Sequence, residues 1–463
     1  MPVIFLLGII AIALEDKIKI NKAAVALFMA ISLWLILMLD AFHLFVEESN
    51  PVFNTYLDQN QDIKSLPLKN QLTQFVTNQA IVFHLGNVAE TLFFVMCSML
   101  IVNIVDRHGG FRAMTSLITT SEKRRLLWYI CLSTFFFSAL LDNLAAAIVI
   151  IAILHKLVPN RTDRLKYACM VVIAANAGGS WSPIGDVTTI LLWVGGNLSA
   201  AHQISHLFIP AFVNMFVPTL IAHFWLFKKD VQLRVPSRED PEDEYSRMIP
   251  LRARRTIFVI GILSLAMVPV FQITTGLPPF MGVLLGLTLL WIYTDLMYNR
   301  INQIQESNKL RISQLLPEVD LATILFFLGI LMSVGALETS GHLGIMSHYL
   351  DTYIHQPYLI SFLIGVLSSC VDNVALVAAT IGMYPMAQQT SDMAQYFVAD
   401  GGFWTFLSYC AVTGGSILII GSATGVTIMG LEKISFGYYF KRFTGLAILG
   451  YICGAGIFML FFA

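Results

Sequence analysis

The sequence predicts an all-α polytopic membrane protein with two inverted-topology repeats, each having spanning helices, a re-entrant helical hairpin and a discontinuous helix. Three observations predict it. Of 463 residues, 57% are hydrophobic and 12% charged, about half the charged share of a soluble domain, and apolar runs of spanning length recur from end to end. Basic residues gather in a few clusters. Two unusual polar motifs inside apolar segments each occur twice.

The elements follow in order. The start, "MPVIFLLGIIAIALEDKIKINK", has no basic n-region and no small-residue cleavage site, so it reads as a first, rather short spanning helix and not a signal peptide. The basic clusters are Lys17/Lys19/Lys22, Arg107–Arg125, Lys156–Lys166, Lys228–Arg255, Arg300–Arg311 and Lys433–Arg442; the positive-inside rule makes them cytoplasmic. Between Leu44 and Gln79 two lysines stand against four acids, which suits the opposite face. The apolar stretch Leu126 to Leu154 is basic on both flanks. A single crossing would have one basic flank, so the chain enters and returns on the same side. Each arm then has roughly 14 residues, about 21 Å, and turns at mid-bilayer. That turn falls on Asp142 and Asn143. The stretch "SSCVDNVALVAATI" (368–381) repeats the pattern with Asp372 and Asn373 at its tip. No Lys or Arg occurs between Arg311 and Lys433, so this second hairpin enters from outside.

A second pair of segments shares the spacing G-G-S-x-x-x-x-G-x-x-T: "GGSWSPIGDVT" (178–188) and "GGSILIIGSAT" (414–424). "TLFFVMCSML" (91–100) echoes "TILFFLGILM" (323–332), and "FLLGIIAIAL" (5–14) faintly echoes "FVIGILSLAM" (258–267). Repeats of opposite orientation are common in secondary transporters. The expected division is a first repeat, 1–227, with a hairpin at about 126–154 and a broken helix at about 168–194. A cytoplasmic linker, 228–256, follows. The second repeat, 257–463, has its hairpin at about 357–387 and its broken helix at about 403–430. The net charge of −1 is uninformative, because charge placement outweighs its sum here. The six cysteines lie singly in apolar segments, without C-x-x-C spacing, and read as packing residues.

Gly, Ser, Thr and Pro in mid-span break the helical ladder, and lipid cannot satisfy the freed amides and carbonyls. Such breaks face protein or a water-filled cavity. Their carbonyls suit cations and their helix N-termini suit anions. The first break carries Asn176, Ser180, Ser182, Asp186, Thr188 and Thr189; the second carries Thr413, Ser416, Ser422 and Thr424, with Ser138 and Ser368 beside the tips. Oxygen-rich sets of this kind fit small hard cations. Small residues also serve close helix packing, but their recurrence beside paired Asp-Asn tips favours a site. An ionised acid at mid-bilayer costs about 2.5–3.5 kcal/mol even on the lenient insertion scale, which makes Asp142, Asp186 and Asp372 functional candidates. Burial favours the protonated carboxyl and a bound cation the ionised one, so proton and sodium compete. Glu90 and His84 are candidates for a proton relay, and His84 is the one histidine singled out as pH-responsive. No Lys or Arg occurs in the hairpin or broken-helix cores, which disfavours a strong anion site.

At these residues the chain resembles a family. "SALLDNLAAA", "NAGGSWSPIGDVTT" and "SSCVDNVALVAAT" are similar to the signature segments of NhaD-type sodium/proton antiporters, in a superfamily that also holds arsenite exporters and sodium-coupled dicarboxylate carriers. The likeness covers nearly the whole chain. Dicarboxylate carriers have Ser-Asn-Thr at the tips, unlike Leu141-Asp142-Asn143 and Val371-Asp372-Asn373 here. Arsenite exporters tend to continue the "IGD" element with Pro-Pro-Asn, where this chain has Val187-Thr188-Thr189. The resemblance implies ion-binding roles for Asp142, Asn143, Asn176, Asp186, Thr188, Thr189, Asp372 and Asn373, and a homodimer with a scaffold and an elevator-like transport domain.

The expectation is therefore an antiporter exchanging Na⁺ or Li⁺ for H⁺ by alternating access, in a bacterial inner membrane. Asp142, Asn143, Asp372 and Asn373 bind sodium, and Asp186 is a third acid in reach. Lipid, the transported ions and a second copy are the expected partners; nucleic acid and cofactors are not. A sodium-coupled dicarboxylate carrier or metalloid oxyanion exporter is the alternative. A channel is a rival from another class, disfavoured by the repeats and paired acids. No metal-ligand or nucleophile–base constellation points to an enzyme.

Overall fold

The computed structural model describes residues 1–13, 15–47, 51–110, 122–226, 249–300, 309–354, 356–384, 386 and 394–462. Their regular elements are helices. In chain order the main ones are α1 (Pro2–Ala13), α2 (Lys22–Leu39), α3 (Ile81–Arg107), α4 (Lys123–Leu141), α5 (Asn143–Leu157), α6 (Arg161–Ser180), α7 (Val187–Val194), α8 (Ala200–Trp225) and α9 (Leu251–Ala266). There follow α10 (Val268–Thr275), α11 (Pro279–Arg300), α12 (Leu321–Thr339), α13 (His342–Ile354), α14 (Pro357–Leu367), α15 (Asn373–Met383), α16 (Gly402–Gly414), α17 (Ala423–Glu432) and α18 (Thr444–Phe461). Among the described residues seven helices are long and apolar enough to cross a membrane, or eight if α9 and α10, bent by 45°, form one span. The chain is an integral, polytopic membrane protein.

Helix α1, expected as a rather short spanning helix, is described over 12 residues, about 18 Å at 1.5 Å per residue. Two expected boundaries move. The expected 228–256 linker ends early, because α9 starts at Leu251; residues 227–248, with the "SREDPEDEYSR" run, lie outside the described residues. The first arm of the expected hairpin is 19 residues rather than roughly 14. It begins in the basic Lys123–Arg125 step, since nothing there stops a helix before the apolar run starts. The helix junction at Asp142 and the two breaks fall where the motifs put them. α4 ends and α5 begins at Asp142, whose φ of 79° is left-handed, a conformation that Asp tolerates better than most non-glycine residues. The 168–194 element is α6, a break at 181–186 and α7; the 403–430 element is α16, a break at 415–422 and α17.

Helices from the two halves of the sequence pack on one another. α2 packs along α12, and α3 along α11 and α12; α4 and α5 pack on α6, α14 on α16, and α8 on α18. Every residue of α6 from Tyr167 to Ser180 is buried, as is every residue of α16 from Phe403 to Gly414. Helices apolar or small on all sides belong in such a core. Glycine makes the closest approaches possible. A β-carbon on Gly178 would collide with the Phe135 carbonyl of α4, and one on Gly414 with the Gly365 carbonyl of α14. Beside them, Ser138 donates to the Ala175 carbonyl and Ser368 to the Ala411 carbonyl at 2.7 Å. These contacts are the same pair made twice, at corresponding motif positions. Cys97, Cys131, Cys169 and Cys410 are buried and free, as packing residues.

At the ends of these helices a charged cluster pins three elements. The Glu432 carboxylate, 1% exposed, accepts from Arg164 Nε at 3.0 Å to each oxygen and pairs with His155 Nε2 at 2.8 Å. Removing one partner of a buried pair leaves the other charge uncompensated, at about 3–5 kcal/mol. Arg164→Leu should therefore lower thermal stability in detergent steeply, and adding Glu432→Gln should recover much of the loss; equal melting of the single and double variants would refute the pair's role.

Candidate functional site

Four helix N-termini meet where the two breaks and two tips come together. Asp142 is the N-cap of α5, with Oδ1 accepting from Leu144 N and Ala145 N. Asp186 caps α7 in a reciprocal box: Oδ1 accepts from Thr188 N at 2.7 Å, and Asp186 N donates to Thr189 Oγ1 at 3.2 Å. Asp372 caps α15 through Val374 N at 3.0 Å, and Ser422 caps α17 through Gly425 N at 3.1 Å. Each side chain satisfies an amide that has no intrahelical partner. Three of the four N-terminal ends thus hold a fixed carboxylate, which their partial positive charge stabilises.

Hydrogen bonds tie these ends into one network. Asn143, from the first tip, donates Nδ2 to Asp186 Oδ2 and, at 3.1 Å, to Asn176 Oδ1. Asn373, from the second tip, donates Nδ2 to both Asp186 oxygens at 3.4 Å. Asn176 of α6 donates at 3.0 Å to Ser416 Oγ and to Ser422 Oγ in the second break. The hub is Asp186, buried at 4% exposure and gripped by amides from both halves. Asp142 and Asp372, expected to lead, accept through Oδ1 from amides of the helices they begin, and each leaves Oδ2 without a protein partner among the described residues.

The supporting candidates divide. Ser180 donates to Ala177 O and Thr413 to Tyr409 O, and Ser182 Oγ accepts weakly from Ile184 N. Thr189 donates to Asp186 O at 2.8 Å. The hydroxyls of Thr188 and Thr424, corresponding residues of the two breaks, are fully buried and make no sound hydrogen bond, although Thr188 lies beside the Asp186 carboxylate. Buried hydroxyls of that kind are rare unless something else occupies them. Lys22 lies within electrostatic reach of Asp372, its ammonium 4.6 Å from the Phe326 ring centroid.

Two cavities approach this centre. One, about 340 Å³, is lined by Asp142, Leu144, Asn103, Asp106, Asp320 and Thr427 among others. The other, about 420 Å³, holds His84, Asn87, Glu90, Leu191, Glu338 and Ala378. The proton-relay candidates His84 and Glu90 therefore share a cavity and lie apart from the aspartate network; His84 Nε2 is 2.9 Å from Thr339 Oγ1.

One residue of the site was not singled out in the sequence. Gln203 of α8, wholly buried, donates Nε2 at 3.2 Å to the Ser180 carbonyl, at the end of α6, and to the Ser182 carbonyl in the break, which also accepts from Gly185 N. The available signal was a lone glutamine inside an apolar helix.

Residues 9–399 match the citrate-transporter family, CitMHS. The chain is 38% identical over 460 residues to "Sodium/proton antiporter 1" of Arabidopsis thaliana, covering 99% of this chain and 72% of that protein. It is 36% identical to "Sodium/proton antiporter 2" of the same plant, covering 98% and 97%. It is 27% identical to "Na(+)/H(+) antiporter NhaD" of Alkalimonas amylolytica, covering 82% and 79%. The chain belongs to the NhaD-type sodium/proton antiporter family. It is accordingly a secondary transporter and not an enzyme. The Asp-Asn tips and "SPIGDVTT" that suggested this family supply the amide–carboxylate hub.

Gln203→Leu should cost about 1–3 kcal/mol, the usual penalty for stranding buried acceptors. The measurement is thermal unfolding in detergent, and an unchanged melting temperature would show that the break is held by other groups.

Proposed function

We propose that the chain exchanges Na⁺, or Li⁺, for H⁺ across its membrane. The observation that carries the reading is the set of three aspartates capping three of the four converging helix N-termini. Free N-termini would attract an anion. Here fixed negative charge already occupies them, and no Lys or Arg hydrogen-bonds to these groups among the described residues. Citrate, which the matched family's description names, or a dicarboxylate would meet like charge. A small cation would meet carboxylate, amide and hydroxyl oxygens.

Mechanism follows from the network. The Asn143 and Asn373 amides donate to Asp186 and compensate its charge. A cation entering needs oxygen ligands, so the amides must turn to present Oδ1, and the Thr188 and Thr424 hydroxyls gain a partner. Asp142 and Asp372, each with an unpartnered Oδ2, are the carboxylates that exchange proton for cation. A proton on either removes the charge that holds sodium, which makes the two ions compete.

The two Asp-Asn tips, the paired breaks and the doubled Gly–carbonyl contact support two inverted repeats with re-entrant hairpins, divided at 1–227 and 257–463. We infer a scaffold and a moving unit, giving alternating access, and a homodimer in lipid. The expected bacterial inner membrane is broadened to any proton-energised membrane, because the plant relatives match at higher identity than the bacterial ones.

Adding sodium to detergent-solubilised protein in weak buffer should release protons, and apparent sodium affinity should weaken as pH falls, since protonation empties the site. Absence of release between about pH 6 and 9 would overturn the exchange reading. Asp142→Asn, Asp186→Asn and Asp372→Asn should each abolish sodium-driven proton movement in proteoliposomes while the protein stays folded.

A sharper test uses Thr424→Val. Its hydroxyl has no partner to lose, so melting should hold or improve while sodium affinity falls about tenfold, the equivalent of ~1.4 kcal/mol. Lower stability with unchanged affinity would make the hydroxyl structural.

A further inference from the structure

The two cavities are lined by corresponding parts of the chain. Aligning "TLFF" (91–94) with "TILF" (323–326) pairs Asp106 with Glu338, Val102 with Val334 and Met99 with Leu331. The first member of each pair lines the 340 Å³ cavity and the second the 420 Å³ cavity. Helices α3 and α12 run between the cavities in opposite directions. The later part of α3 (Met99 to Asp106) faces the cavity that holds the start of α12 (Asp320), while His84 to Glu90 of α3 face the cavity that holds Leu331 to Glu338. Along α3, Glu90 and Asn103 are about 20 Å apart at 1.5 Å per residue.

Each cavity also ends near the site. Asp142 itself lines the first, together with Thr427, about one turn into α17 behind its Ser422 cap. Leu191, about one turn into α7 behind the Asp186 cap, lines the second with Ala378 of α15. Carboxylates at the two openings differ in their engagement. Glu318 is tied to Arg107 and Asn103, and Asp320 to Thr323. The Glu338 carboxylate makes no hydrogen bond or ion pair among the described residues.

We propose that the two cavities are the access vestibules of the transporter, and that Glu338 is the entry carboxylate of the vestibule it shares with Glu90, as Asp106 is of the other. The inference rests on the cation-exchange reading. Glu338 lies about five turns beyond the Asp320 cap of α12 and outside the amide–carboxylate network, so it does not ligate the transported ion at the hub. Its work is to concentrate cations where low-dielectric walls focus the field. A single carboxylate so placed raises the local cation concentration and entry rate by about three- to tenfold, toward the low end of electrostatic steering, and added salt screens the effect.

The first readout does not depend on transport. In a Cys370→Ser/Cys453→Ser background, which removes the two native cysteines that are not buried, a cysteine introduced by Asn87→Cys in the vestibule wall should react faster with a cationic than with an anionic methanethiosulfonate reagent. Glu338→Gln should lower that rate ratio about three- to tenfold, and Glu338→Asp should retain it. An unchanged ratio would overturn the vestibule assignment. The second readout uses oriented proteoliposomes. Glu338→Gln should raise the apparent KM for sodium by a similar factor from the face nearer the acidic 44–79 segment. Vmax and the KM from the other face should be unchanged, and choline chloride should abolish the difference. A fall in Vmax, or a KM change of equal size from both faces, would overturn the entry role. If the wild-type protein moves no protons with sodium, the exchange reading fails instead, and the thiol rates still decide whether Glu338 governs the field of its cavity.

Discussion

A helix that stops inside an apolar core leaves amides at one new end and carbonyls at the other, and nothing in a lipid-facing setting can satisfy them. This molecule makes such stops at both tips and both breaks and brings the new ends together. Asp142, Asp186, Asp372 and Ser422 each cover an amide of the helix they begin, while Gln203 covers the last carbonyl of α6 and one carbonyl of the break. The polar groups therefore stabilise one another. The arrangement exists only if the elements carrying them stay in contact, so the remaining packing serves that contact.

Charge is what makes this hub more than a structural repair. An aspartate is a stronger cap than a neutral residue because it also answers the partial charge of the helix end. Three of them close together repel one another in a medium of low dielectric. The structure relieves that repulsion at Asp186 with two asparagine amides and leaves one oxygen of Asp142 and of Asp372 unengaged. A group of carboxylates whose compensation is incomplete binds protons or small cations readily, and the same three charges oppose an anion. The second break has serine where the first has aspartate, so the two halves are chemically unequal even where their backbones correspond.

The close packing that holds these ends depends on absent side chains as much as on present ones. Gly178 and Gly414 let α6 and α16 rest on the carbonyls of α4 and α14, and serine hydroxyls beside them secure the contact. Small residues at helix contacts are the usual means of packing where no water-driven collapse separates helix from lipid. Farther out, the Arg164–Glu432–His155 cluster joins α5, α6 and α17, one half of the sequence to the other. The helices of each half thus lean on those of the other half, and no half is a spatial unit alone.

The sequence by itself determined the membrane class, the positions of most helices, the turn at Asp142 and both breaks. These are local properties: apolar run length, basic flanks, and residues that cannot continue a helix. It also singled out Asp142, Asn143, Asp186, Asp372 and Asn373, because a carboxylate or amide in an apolar run is costly wherever the chain later folds. Only the tertiary structure decided which of them meet. Asp142 and Asp372 looked foremost because they sit at repeated tips, yet their carboxylates turn back to their own helices and Asp186 receives the asparagines of both tips. Gln203, Glu338 and Arg164 gave weak signals for the same reason. Their partners lie in distant parts of the chain, and a side chain's direction in space is fixed by packing between helices rather than by its neighbours in sequence.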